Sequence, residues 1–218
     1  MNLFVSCLYI VGLYGAYLAG SMQLRARSAE HTREPSHAVR QLPRATLLML
    51  LAVAVPTTLQ FFFPSVLTLF ERDYMRFLAG DWWRLITPLF VQDGGISGSI
   101  FNLVSLLLVG SASEQLWGSR RWLIIWFIGG VLSEIIAFAW QPVGAGNSVA
   151  NFSLAASVAV LCLTRNPLRP ARIAALLALG AGVSLLLLND IHGAAAMLGA
   201  VIAIVLIWFD RRWLLKRV

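Results

Sequence analysis

Charge is scarce in this chain. Asp, Glu, Lys and Arg make up 12% of its 218 residues, against about a quarter in soluble domains, and mean hydropathy is +0.77. That excludes an ordinary soluble domain and implies an integral membrane protein. Cysteine is as sparse. Cys7 and Cys162 are the two, both inside apolar runs, with no disulfide-like or metal-like spacing; they read as small hydrophobic residues. No cluster of His, Cys and carboxylates offers a metal site, and nothing points to a cofactor. The net charge of +7 is no nucleic-acid footprint, because the basic residues fall in short connections and in the tail.

What the chain does have is long apolar runs. A crossing helix needs about 20 residues, and runs near that length stand at roughly 3–20, 47–70, 99–113, 122–140, 148–164, 173–188 and 192–209. Seven helices are predicted. Five arginines fall in 25–44, two in 120–121, three in 165–172, and four basic residues in 211–217, while Arg72, Arg76 and Arg84 fall in the alternate loops. Fourteen against three places the amino terminus outside and the basic tail inside. The first run has no positive charge ahead of it, so it reads as a retained helix and not as a cleaved signal peptide. Residues 71–97 form one long outer connection. Tyr74, Trp82 and Trp83 suit the headgroup layer, where amphipathic rings are favoured, and the segment is expected to lie partly in the interface.

Histidine is rare too, and its placement is informative. His31 and His37 sit in a basic polar stretch; His192 alone lies in an apolar segment. An ionisable group at a membrane helix is costly and marks a functional site by default. Ser148 opens an earlier run, and the topology puts Ser148 and His192 at the outer ends of their helices, at similar depth. A serine hydroxyl becomes a nucleophile when an adjacent base takes its proton, and a neutral imidazole serves near neutral pH. Taken alone, Ser148 reads as a helix-start or interhelical serine, and His192 as an interfacial cap. The matching depth favours a Ser148–His192 dyad.

Four further elements lie in order along the chain: Asp81-Trp82-Trp83-Arg84-Leu85; Phe101-Asn102; Gly110, Glu114 and Gly118 in a Gly-x3-Glu-x3-Gly pattern; and His192 with Gly199 seven residues on. Together, from about Gly80 to Leu206, they resemble the rhomboid intramembrane serine proteases. The resemblance implies an all-α fold: a six-helix membrane domain over 47–210 with an additional amino-terminal helix over 1–24. A basic cytoplasmic linker over 25–46 and a basic tail over 211–218 complete the expected organisation. It further implies Ser148 and His192 as catalytic residues, Asn102 and the Ser148 N–H as oxyanion donors, and structural roles for Arg84, Glu114, Gly110, Gly118 and Gly199.

Two registers compete at the serine. Matching Val143-Gly144-Ala145 to the family's Val-Gly-Ala-Ser-Gly puts Gly146 at the nucleophile. Matching Gly146-Asn147-Ser148 instead places Phe152, Ser153 and Ala156 where the family has an aromatic and two glycines, and this register explains more positions. Other positions depart from the pattern. Asp93 and Gly98 stand where histidines are common, and Gly98 has no side chain for an oxyanion, a role that Gln92 or a water is left to fill. Val149 replaces the glycine after the nucleophile, and a β-branched residue resists the positive φ that glycine allows. Ala195 replaces a further glycine. Glu134 reads as a mid-span acid, paired with a polar neighbour or part of an ion path. The small residues from Gly193 to Ala196, with Gly199 and Ala200, form a face that lets helices approach closely.

The expected function is a serine endopeptidase that cuts the transmembrane segment of a membrane-protein substrate, working in the lipid bilayer of a bacterial inner membrane. The alternative is a rhomboid-like pseudoprotease that binds transmembrane helices without cutting, which Gly98 and Val149 favour. A transporter lacks a polar pathway. Mass spectrometry of the purified protein is expected to find residues 3–20 retained; a new amino terminus near residue 20 would contradict this topology.

Overall fold

The computed structural model describes residues 3–31, 42–165 and 168–215. Residues 32–41 of the expected basic linker, including His37, and the last residues of the tail lie outside the described residues. Among them, seven helices are long and apolar enough to cross a membrane: α1 (Leu3–His31), α2 (Arg44–Phe62), α3 (Gly95–Trp117), α4 (Ser119–Trp140), α5 (Ser148–Arg165), α6 (Arg169–Leu187) and α7 (Ile191–Leu215). The chain is an all-α, multi-pass integral membrane protein.

Two helix ends differ from the sequence expectation. The first helix continues past residue 20 to His31, because the stretch from Ser21 to His31 holds no glycine or proline to stop it. The second stops at Phe62, where Pro64 follows and disfavours helical backbone in the residue before it; Ser65–Phe70 is a separate short helix. The long connection between α2 and α3 is structured, with a helix at Tyr74–Leu78 and tight helical turns at Trp82–Leu85 and Thr87–Phe90. Arg84 fastens it, donating to the Asp81 carboxylate and to the carbonyls of Thr68 and Glu71 at 2.7–3.1 Å.

Helix α5 is the axis of the molecule. Fourteen consecutive residues, Val149–Cys162, are buried, so the helix is packed by protein on every side. Helices α1, α4, α6 and α7 surround it, and α1 also lies along α6. The closest approach is to α7, where a Cβ at Gly199 would run into the Ser153 backbone. The Ser153 hydroxyl donates to the Ala195 carbonyl at 2.9 Å, so a small polar group joins the two helices where lipid offers no alternative partner.

At the other end of the bundle, the Glu114 carboxylate accepts from the amides of Ala45 and Thr46 at 2.9 and 2.7 Å and from the Ser119 hydroxyl at 2.6 Å. It satisfies first-turn amides of α2 that have no partner in their own helix, and ties α2 to the corner between α3 and α4. Next to it the Trp122 indole donates to the Gly110 carbonyl at 3.0 Å. Leu48, Leu51, Ile173, Leu176 and Leu177 point outward, as a lipid-facing surface requires.

Gly199→Ala is expected to lower the unfolding midpoint in detergent micelles, by about 1–3 kcal/mol for overpacking. Gly180→Ala, whose Cβ meets open space, is expected to be neutral or to stabilise by up to ~1 kcal/mol through helix propensity. Equal midpoints would contradict the close α5–α7 contact.

Candidate active site

The loop between α4 and α5 is pinned from the long connection. Strand β1 (Arg72–Asp73) pairs antiparallel with β2 (Val143–Gly144), Arg72 opposite Gly144. Just beyond, the Ala145 amide donates to the Asp93 carboxylate at 2.9 Å and the Gly146 amide to the Pro88 carbonyl at 2.9 Å. Asp93, which stands where the resemblance leads one to expect histidine, thus holds this loop. The Arg72 guanidinium forms a buried ion pair with Glu134 and donates through Nε to the Gln141 carbonyl at 2.8 Å. Of the two expectations for Glu134, the ion pair bears out the polar partner. The acid lies in the carboxyl-terminal half of α4 and faces the arginine that fixes the loop.

That loop delivers Ser148 as the first residue of α5, while His192 is the second residue of α7. The Ser148 hydroxyl lies 2.8 Å from His192 Nε2. On the far side of the ring, Nδ1 is 2.6 Å from an Asp190 oxygen that also accepts from the His192 amide at 2.9 Å. The other Asp190 oxygen accepts from the Tyr9 hydroxyl of α1 at 2.6 Å. Burial alone would push the Asp190 carboxyl upward; the hydrogen bond and charge of His192, with the Tyr9 hydroxyl, outweigh it and hold the group below its ordinary range. The imidazole is flanked by Phe152, with ring centroids 5.1 Å apart, and by Tyr9 at 4.5 Å.

Asn102 belongs to a ring of amides. Its side chain donates to Gln92 Oε1 at 2.7 Å, Gln92 Nε2 to Asn147 at 2.8 Å, Asn147 to Asn151 at 3.2 Å, and Asn151 to the Asn102 carbonyl at 3.0 Å. Gln60 fixes the Gln92 backbone from both sides, at 2.5 and 2.9 Å. Gln92, expected as a possible substitute donor, has one N–H of its amide engaged with Asn147, and its oxygen, by accepting from Asn102, orients that side chain. At Gly146 (φ +153°) a Cβ would sit 3.3 Å from the Ser148 hydroxyl and 3.4 Å from the Asn102 amide nitrogen. The absence of a side chain there leaves one small space that both groups face.

Val149 needs no positive φ. It sits in the first turn of α5, fully buried, and among the described residues Asn189 (φ +56°) is the non-glycine with that backbone. The strain expected there does not arise. Gly98 lines the cavity with nothing within 4 Å of where its Cβ would be. Glu114, Gly110 and Gly118 lie at the opposite end of α3 from this site, and Arg84 lies in the long connection.

These groups open onto a cavity of about 540 Å³ lined by Ser148, His192, Asn102 and Gly98, by Arg72, Asp93 and Glu134, and by Ser6, Tyr9 and Ile10 of α1. The volume falls in the range of ligand pockets, about 300–1,000 Å³.

Residues 79–213 match the Rhomboid domain family model. The chain belongs to the rhomboid family. It is 36% identical over 86 residues to Rhomboid protease GluP of Bacillus subtilis (strain 168), which covers 39% of this chain and 17% of that protein. Putative rhomboid protease YdcA of the same organism is 34% identical over 92 residues, 41% of this chain and 46% of that protein. Rhomboid protease AarA of Providencia stuartii is 29% identical over 75 residues, 34% of this chain and 26% of that protein. The matches thus span less than half the length of each relative. Helix α1 precedes the rhomboid match, yet it contributes Tyr9 to the cavity wall.

Sequence reasoning passed over four of these residues. Asp190 stands two residues before His192 at a helix start, a position where aspartate is a preferred cap. Asn147, just before α5, and Asn151, in its first turn, are four apart, the spacing of one helix face. Tyr9 gave no signal, since an aromatic residue in an apolar run is ordinary.

Proposed function

We propose that this rhomboid is a serine endopeptidase that cleaves the transmembrane segment of another membrane protein, with Ser148 as nucleophile and His192 as base. The observation that carries the reading is the 2.8 Å contact between the Ser148 hydroxyl and His192 Nε2 at the wall of a cavity beneath the outer loops. In this reading the hydroxyl gives its proton to Nε2 as its oxygen attacks the scissile carbonyl carbon. The oxyanion so formed is met by the Asn102 amide and the Ser148 N–H, which lies at an amino-terminal helix end where amides lack partners and favour negative charge. The imidazolium then returns the proton to the leaving amine as the C–N bond breaks. A water, deprotonated by the same ring, hydrolyses the acyl-serine and restores the hydroxyl.

A helix in lipid hides its carbonyls in its own hydrogen bonds, so the substrate must unwind locally before Ser148 can reach one. The basic-residue distribution supports an outward amino terminus and a site near the outer face of a bacterial inner membrane. The span over 47–210, entered by α2 from Arg44, serves as the protease domain, and α1 (Leu3–His31) is the added helix. A second reading, helix binding without cleavage, draws on one observation: Gly98 leaves its side of the cavity without a donor.

In proteoliposomes carrying a model transmembrane substrate, Ser148→Ala and His192→Ala are each expected to reduce turnover to background. Asn102→Ala is expected to lower it by about 10²-fold, since one donor remains. Gly98→His, for which the cavity has room, is expected to raise it, with the roughly 10²–10³-fold worth of one oxyanion donor as a ceiling. Cleavage that survives Ser148→Ala would overturn the assignment; substrate bound equally by wild type and Ser148→Ala, and cut by neither, would establish the second reading.

A further inference from the structure

We propose that Asp190 is a positioning residue for the His192 base, held in turn by Tyr9, so that the catalytic group is a Ser148–His192–Asp190 triad whose last member is fixed by the added helix α1. The inference rests on the protease reading above and extends it. A base works only if its free nitrogen faces the nucleophile. With the Asp190 carboxylate 2.6 Å from Nδ1, the proton of the neutral ring is held at Nδ1, and the Nε2 lone pair is left facing the Ser148 hydroxyl at 2.8 Å. The same carboxylate stabilises the imidazolium that forms when the serine proton is taken.

The simpler account makes Asp190 the amino-terminal cap of α7. It does cap, accepting from the His192 amide. A cap, however, requires neither the Nδ1 contact nor the Tyr9 hydroxyl on the second oxygen. Three donors from two helices converge on one carboxylate whose side chain is only 12% exposed, which fixes it far more tightly than a cap demands. Tyr9 is well anchored itself. Its ring meets Phe152 edge-on at 5.6 Å, and one turn on, a Cβ at Gly12 would come within 2.9 Å of the Phe152 ring, so α1 lies close against α5.

The two accounts separate at one substitution. Asparagine caps a helix about as well as aspartate, so Asp190→Asn keeps the cap. It removes the charge, and its amide can donate to Nδ1, which drives the ring proton to Nε2 and leaves no lone pair facing the serine. In proteoliposomes with a transmembrane substrate, Asp190→Asn is expected to lower kcat by about 10²–10⁴-fold, with KM within about twofold and an unchanged unfolding midpoint. Tyr9→Phe is expected to lower kcat by about three- to tenfold, the worth of one hydrogen bond, and Asp190→Glu to recover part of the activity. Independently of turnover, a low-field proton resonance from His192 Nδ1–H is expected in wild type and in Ser148→Ala, and is lost in Asp190→Asn. The proposal is overturned by wild-type kcat in Asp190→Asn, by a kcat loss that tracks a fall in midpoint while Tyr9→Phe matches wild type, or by the absence of that resonance from the wild-type protein. A wild type that shows the resonance but cuts nothing contradicts the protease reading and leaves the positioning role standing.

Discussion

Helix α7 rests against the backbone of α5 at Gly199 and Ser153, and the distance between Ser148 and His192 depends on that contact. In lipid no hydrophobic force draws two helices together; close van der Waals approach and a few interhelical hydrogen bonds must do it. Glycine at 199 and the Ser153–Ala195 bond supply both. Because the contact lies between the bodies of the helices, it sets the separation of their amino-terminal ends, where Ser148 and His192 stand. A side chain at 199 would alter the 2.8 Å distance between hydroxyl and imidazole without touching either.

The second constraint is polar. A site of this kind needs amides, a carboxylate and a hydroxyl in a low-dielectric setting, where an unpaired polar group is costly. The protein meets this by closing its polar groups on one another. The amide ring of Asn102, Gln92, Asn147 and Asn151 leaves Asn102 oriented beside the serine. The Arg72–Glu134 pair neutralises the one buried guanidinium that lines the cavity. A buried ion pair adds little net stability because desolvation opposes it, so its main consequence is to fix the loop that presents Ser148.

Much of this was legible in the sequence. Spans follow from apolar run length, and the choice between Gly146 and Ser148 came from counting small and aromatic positions along one helix face. What was not legible depended on distance between residues far apart in the chain. Tyr9 and Asp190 are 181 positions apart, and no local pattern links them. The part of Gln92 in orienting Asn102 was not legible either, because its partners Asn147 and Asn102 lie 55 and 10 positions away. Val149 was misjudged for another reason: a family's glycine was taken to imply a positive φ, whereas this backbone has turned helical by that residue. Pro64 carried its own message, and the second helix ends before it.

The central claim is that Ser148 is a hydroxyl activated by His192. Treatment of the membrane-reconstituted protein with a fluorophosphonate, followed by peptide mass mapping, tests it directly, because the reagent phosphonylates an activated serine and no substrate need be known. The account predicts a single adduct on the peptide bearing Ser148, lost in His192→Ala. An adduct on another residue, or no adduct on folded protein, would contradict it.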